Sequence, residues 1–199
     1  MNALVILGHP HKGSFNHAIA NKCVVTLKDM GFNTIFHDLY CEKFNPVIDY
    51  SEISDKANIM KDIEQYCDEI MHTDILIFIH PNWWGQPPAI LKGWIDRVLR
   101  AGLTYKFQEG DNGEGVPIGL LQCKTAFVFN TSNTKKEREQ EVFGDPLQRI
   151  WEDCILKFCG VHTVYRKMFE TIVTSSDEER SNWLDEVRDT LRNHIKPCI

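Results

Sequence analysis

Most of the signatures that assign a function outright are missing from this chain. No run of Lys or Arg exceeds the pair Lys135-Lys136, and the formal net charge is −6 with a pI near 5.7. That balance offers no electrostatic footprint to nucleic acid. No apolar stretch approaches the roughly 20 residues of a membrane span, and residues 3–8 are too short and wrongly flanked for a signal peptide. A cytoplasmic protein is expected. The seven cysteines contain no C-x-x-C pair, which argues against a disulfide framework or a zinc knuckle and for reduced thiols. Cys154 and Cys159 with His162 come nearest to a metal set; they read as core residues, and no metal is expected. A G-x-S-x-G elbow and an H-E-x-x-H pair are absent, which sets a hydrolase aside. The dinucleotide fingerprint G-x-G-x-x-G and the phosphate loop G-x-x-x-x-G-K-[ST] are absent too. There is no internal repeat, low-complexity tract or linker-like shift, so the 199 residues, at 43% hydrophobic content, fit one domain over residues 1–199.

What is present is a regular alternation. Strand-like apolar runs bounded by turn residues occupy residues 3–8, 34–39, 74–80, 125–130 and 161–169. Segments of helical period lie at 15–30, 54–71, 88–99, 146–158 and 177–194. Strand and helix thus alternate five times, which demands a parallel sheet with helices on both faces. The runs Leu4-Val5-Ile6-Leu7 and Ile75-Leu76-Ile77-Phe78-Ile79 are continuously apolar, as strands buried on two sides must be, and belong at the sheet centre. Ser14 suits the cap of the first helix, Gly31 its end, and Asp177 with Arg180 the start of the last. Residues 102–124, with Gly110-Asp111-Asn112-Gly113-Glu114-Gly115 at their middle, form a connection of roughly twenty residues where about five is usual.

In an open parallel sheet, ligands bind beyond the carboxyl ends of the strands. Three loops end there if the strand order is 2-1-3-4-5. The first, residues 8–16, leads through Gly13-Ser14 into a helix, whose free N–H groups and positive end can hold a phosphate; the alternative is a plain helix cap. The second holds Trp83 and Trp84 beside Gly85 and prolines. Either the indoles border a planar heteroaromatic ring, or one plugs the core and the other covers a helix. The third, Asn130-Thr131-Ser132-Asn133-Thr134, offers amides and hydroxyls to the polar edge of such a ring, or is a polar turn. His9 and His11 read as ligand contacts, with surface histidines as the alternative.

These residues resemble the flavodoxin-like NAD(P)H:quinone oxidoreductase family. The likeness rests on His9-Pro10 with Ser14-Phe15-Asn16 and Ala18, on Asp38-Leu39-Tyr40 with Phe44-Asn45-Pro46, and on Phe158-Cys159-Gly160. Above all it rests on Pro88-Ala89-Ile90-Leu91-Lys92-Gly93-Trp94-Ile95-Asp96-Arg97-Val98. The resemblance implies an α/β, flavodoxin-like three-layer sandwich around a five-stranded parallel sheet of order 2-1-3-4-5. It implies electrons passing from NAD(P)H through one flavin, FMN or FAD, to a small acceptor such as a quinone, by ping-pong hydride transfer in a homodimer. It assigns His9, Ser14, Phe15, Asn16 and Ala18 to the phosphate and ribityl side of the flavin. Pro81, Asn82, Trp83, Trp84 and Gly85, with Asn130, Thr131, Ser132 and Asn133, border the ring, and Tyr105 and Phe107 line the acceptor pocket.

The departures from the family pattern matter as well. Gly85-Gln86-Pro87 replaces an aromatic followed by glycine and leaves the ring pocket wider, and Asn130-Thr131-Ser132-Asn133 replaces Thr-Thr-Gly-Gly. Phe143 stands where some members carry a charge-relay histidine, so no catalytic residue is assigned. The C-terminal extension of larger members is absent, which leaves FMN as fitting as FAD. Two rivals share the fold, a one-electron flavodoxin-like carrier and a non-enzymatic regulatory subunit; the long 102–124 insert argues against the carrier.

Overall fold

The computed structural model describes residues 1–54, 59–108, 110 and 115–195. The first half runs β1 (Asn2–Leu7), α1 (Phe15–Asp29), β2 (Asn33–Asp38), α2 (Tyr50–Ser54), α3 (Lys61–Met71), β3 (Ile75–Pro81) and α4 (Ala89–Val98). The second half runs β4 (Tyr105–Lys106), β5 (Ile118–Gly119), β6 (Thr125–Thr131), α5 (Lys136–Glu141) and α6 (Pro146–Arg149). It continues through a π-helical segment (Ile150–Leu156), β7 (Thr163–Phe169), a 3-10 turn (Ile172–Thr174) and α7 (Asp177–His194). The main sheet has the order 2-1-3-6-7 and every pairing in it is parallel. With the small ribbon β4–β5 left out of the count, this is the flavodoxin-like order 2-1-3-4-5.

Strand alternation divides the core in two. Leu4, Ile6, Leu76, Phe78, Ala126 and Val128 face α3, α4 and the π-helical segment, packing with Ile63, Trp94 and Trp151. Their neighbours Val5, Leu7, Ile77, Ile79 and Phe127 face α1 and α7, packing with Ile19, Leu27, Val187 and Leu191. The result is a three-layer sandwich. Among the described residues no helix is long and apolar enough to cross a membrane.

The structure differs from the sequence expectation at several elements. The single helix expected over 54–71 is two, α2 and α3, with residues 55–58 outside the described set. Residues 102–124 contain the antiparallel ribbon β4–β5, although the glycine-rich centre at 109 and 111–114 lies outside the described residues. This ribbon is locked to the end of the π-helical segment by a glycine pair. A Cβ on Gly119 would stand 2.1 Å from the backbone nitrogen of Gly160, and Gly160 has φ +95°. The helix expected over 146–158 changes pitch at Ile150. The last helix is capped by Ser176 in a reciprocal box with Glu179, one residue ahead of Asp177. Cys154 is exposed and thus no core residue, whereas Cys159 is buried.

Two buried polar clusters hold the periphery. The Glu52 carboxylate on α2 is sealed from solvent between Arg97, at 3.1 Å, and Arg100, at 3.3 Å, and Arg97 also donates to the Asn45 carbonyl at 2.9 Å. This clamp draws residues 45–46 onto α4, where Gly93 leaves just enough room: a Cβ there would fall 2.2 Å from the Pro46 carbonyl oxygen. On β2, the His37 ring bridges Glu42, at 2.9 Å, and Glu69, at 2.6 Å. Burial pulls its pKa down, but the two carboxylates outweigh burial and push it up to about 9.

Gly93→Ala should therefore lower stability by about 2 kcal/mol or more, because the neighbour that must move is backbone; chemical denaturation measures it. His37 should contribute its full stabilisation below about pH 6.5, the unfolded value, and lose it as pH rises through about 9. The stability gap between the native protein and His37→Gln, followed by urea unfolding across that window, should close on the alkaline side.

Candidate functional site

The carboxyl ends of β1, β3 and β6 open onto a cavity of about 810 Å³. Each of its three loops is tied to the sheet by backbone bonds. Gly8 N–H donates to the Ile79 carbonyl at 2.9 Å, Asn82 N–H to Thr131 at 2.6 Å, and Ser132 N–H to Phe169 at 2.8 Å. The walls consequently stand on a rigid base.

From the first loop come His9, Ser14, Phe15 and Asn16. Ser14 caps α1, with extended backbone and its oxygen accepting the His17 N–H. Phe15 is held edge-on against Phe169 with ring centres 5.9 Å apart. Asn16 is 2% exposed; its amide donates to Thr131 Oγ1 at 2.9 Å, while its Oδ1 is buried with no partner. A buried carbonyl oxygen left unpaired is costly unless a ligand supplies the donor. Burial is the chief reason that His9 titrates below the ordinary imidazole range.

The second loop brings Pro81, Asn82, Trp83, Trp84 and Gly85. Trp83 and Gln86 exchange backbone hydrogen bonds at 3.1 and 3.0 Å across a two-residue turn. The turn requires positive φ at both central residues, +58° at Trp84 and +72° at Gly85. For a tryptophan this region is disfavoured, and such strain clusters at functional sites. Neither indole plugs the core: Trp83 is 43% exposed and Trp84 is fully exposed at the cavity mouth. The room beside Gly85 is taken by Pro146, whose Cγ lies 2.7 Å from where a Cβ would stand, so this glycine packs closely and does not widen the pocket.

The third loop contributes Thr131, Ser132 and Asn133. Its side-chain polar groups largely shape the loop itself. Ser132 Oγ accepts from Thr134 N–H at 3.0 Å and Asn133 Oδ1 from Val173 N–H at 3.1 Å. Likewise Asn82 spans its own loop, accepting from Gly85 N–H at 3.0 Å and donating to Glu139 at 2.9 Å.

Four expected residues lie elsewhere. Asn130 precedes Thr131 on β6 and therefore points to the opposite face, where its Oδ1 accepts from Arg166 Nε at 3.0 Å. Ala18 sits half-buried on α1 and does not line the cavity. Tyr105 packs against Phe158, with ring centres 4.8 Å apart, and Phe107 against Tyr105 at 5.9 Å; neither reaches the cavity of a single chain.

The cavity gains instead Arg138, Glu139, Phe143, Pro146 and Ile172. Arg138 lies over the Phe143 ring at 5.5 Å, and Glu139 is 4% exposed although it belongs to a run of charged residues. That run, Lys135-Lys136-Glu137-Arg138-Glu139, carries no sequence signal of a pocket wall. His80, the register partner of Asn130, shares its face; it is fully buried, its Nε2 accepting from Trp151 Nε1 at 2.9 Å and its Nδ1 donating to the Pro81 carbonyl at 2.8 Å. Burial pushes its pKa down to about 4, so it stays uncharged.

The match to known proteins agrees with this architecture. The model of the flavodoxin-like fold matches residues 1–195. A Haemophilus influenzae protein described as an uncharacterized NAD(P)H oxidoreductase is 33% identical over 189 residues, 93% of this chain and 91% of its own length. NAD(P)H dehydrogenase (quinone) 1 of Rattus norvegicus is 29% identical, covering 92% of this chain and 73% of its own. The crystal structure of Smu.1420 from Streptococcus mutans shares 32% identity and superposes with a TM-score of 0.85 over 97% of this chain and 100% of that one. By its sheet order, its loops and a family match over almost its whole length, the chain belongs to the flavodoxin-like fold family.

Proposed function

We propose that this chain is a flavin-dependent NAD(P)H oxidoreductase that reduces a quinone or another small electron acceptor. In this reading residues 1–199 form one flavodoxin-like domain, and two copies work as a homodimer in the cytoplasm. The observation that carries it is the polarity of one cavity: hydroxyl, helix N-terminus and an unpaired amide oxygen at one end, two indoles at the other. A flavin has matching ends, an anionic phosphate on a polyol chain and a flat heteroaromatic ring. The names of the Haemophilus and rat relatives support NAD(P)H as the electron source and a quinone as the acceptor.

The residues have distinct parts in this reading. Ser14 and the first N–H groups of α1 hold the phosphate, and Asn16 Oδ1 accepts a ribityl hydroxyl. Trp83 and Trp84 border the ring, with Thr131 and the loop through Asn133 at its polar edge. When bound, the flavin supplies two-electron chemistry, taking a hydride from NAD(P)H and yielding it to the acceptor in alternation. The strained turn at Trp84 holds an apolar surface at the mouth that limits water. Tyr105, on the ribbon, and Phe107, just past its first strand, lie outside the cavity and are available to the acceptor pocket of a second copy.

Purified protein should be yellow or become so with FMN or FAD, and should oxidise NAD(P)H in the presence of a quinone. Protein that stays colourless with both flavins overturns the reading; bound flavin without NAD(P)H oxidation would favour a regulatory subunit. Asn16→Ala should weaken flavin binding about tenfold, the worth of roughly one good hydrogen bond, as measured by quenching of flavin fluorescence.

A further inference from the structure

Behind Ser14 a line of hydrogen bonds leads away from the cavity. Ser14 Oγ lies 2.9 Å from His17 Nδ1, and His17 Nε2 lies 3.1 Å from Asp38 Oδ2 at the end of β2. Both ring and carboxylate are 14% exposed. The other carboxylate oxygen, Asp38 Oδ1, accepts from Cys41 N–H at 3.0 Å, so the carboxylate is fixed as an acceptor on both sides. We propose that His17 and Asp38 are positioning residues that make the grip of Ser14 on the flavin phosphate conditional on one proton, taken up from solvent as the anion binds. The relay rests on the flavin reading of the cavity.

Donors and lone pairs decide the direction of each bond. Facing a carboxylate, Nε2 carries a hydrogen. In the neutral ring Nδ1 is then an acceptor, and the Ser14 hydroxyl must spend its only hydrogen on it. The same oxygen also accepts the His17 backbone N–H at 3.4 Å. What Ser14 presents to the cavity in that state is a lone pair, which repels a phosphate oxygen. Adding one proton at Nδ1 reverses the bond: Nδ1–H donates to Oγ, the hydroxyl hydrogen turns to the cavity, and an imidazolium stands behind it. A charge-assisted line of this kind favours the anion. No bond other than N–H forms, and the proton comes from the buffer.

The groups set against His17 agree with this assignment. Asp38 approaches from β2, and His9 from the loop after β1 with its ring edge-on at 6.2 Å. His11 stands beyond His9, its N–H donating to His9 Nδ1 at 3.1 Å. His9 is held low, by burial first and by the two neighbouring histidines, and among the described residues it has no carboxylate partner of its own, whereas the His17 ring is bonded to one. The unpartnered Asn16 Oδ1, 2% exposed on the same wall, independently calls for a hydrogen-bearing ligand here.

Titration of the full chain with FMN, FAD and riboflavin across about pH 6.5 to 8.5, by flavin fluorescence and by calorimetry in buffers of different ionisation enthalpy, tests the relay. The expected result is an FMN Kd that rises about tenfold with pH and a net proton uptake on binding, with the riboflavin Kd nearly constant. In His17→Phe and Asp38→Asn the extra dependence and the uptake should vanish, leaving whatever slope the ligand's own phosphate imposes, while riboflavin binding reports an intact site. FAD, whose diphosphate does not titrate in this range, should show the difference without that background. Identical FMN and FAD profiles in the native protein and both variants would overturn the relay and leave the flavin reading standing. Failure of every flavin to bind overturns both.

Discussion

Every residue of β3, from Ile75 to Pro81, is buried, and a strand sealed on both faces can meet a ligand only where it ends. Its backbone is satisfied along its length by β1 and β6. Beyond Pro81 the first free N–H, that of Asn82, still reaches across to Thr131. The three loops therefore rise from one hydrogen-bonded edge, and their spacing is set by the interstrand distance before any side chain is considered. Ligand chemistry is placed here by the helices that cover both faces.

Along that edge the charges are kept to the sides. Behind Pro81, on the face that Asn130 shares, the buried histidine is neutral and bonded to Trp151. Around the wall formed by α5, Glu139 is buried and held by Asn82, while Arg138 lies over Phe143. Toward α1 the polar groups end on Asp38, through His17. A ring-shaped ligand would thus meet its charged neighbours at the sides, which suits a group whose polarity lies at its edges.

Strand positions were legible because burial on two sides leaves an uninterrupted apolar run, as in Ile75-Leu76-Ile77-Phe78-Ile79. Ser14 was legible as a cap because its geometry is local. Glu139 was not, since its burial depends on Asn82, far away in sequence, and its neighbours are all charged. Asn130 belongs to a polar string that points to the cavity as a whole, although period-2 alternation places it and Thr131 on opposite faces. Gly85 announces a turn with positive φ, but nothing in the sequence says that Trp84 shares that conformation. The pitch change at Ile150 is equally silent, because a π-helical turn and an α-helical one show similar apolar stripes.

That wider turn sets the angle between two fixed points. Trp151, at its start, is bonded to His80, and Gly160, just past its end, is seated against Gly119. Each residue of an α-helix turns the chain by about 100°, and a π-helical residue turns it by less. Winding the same seven residues at the tighter pitch would therefore swing one of these contacts away from the other. The stretch works as a spacer whose winding, more than its side chains, keeps the ribbon and the central strand in register.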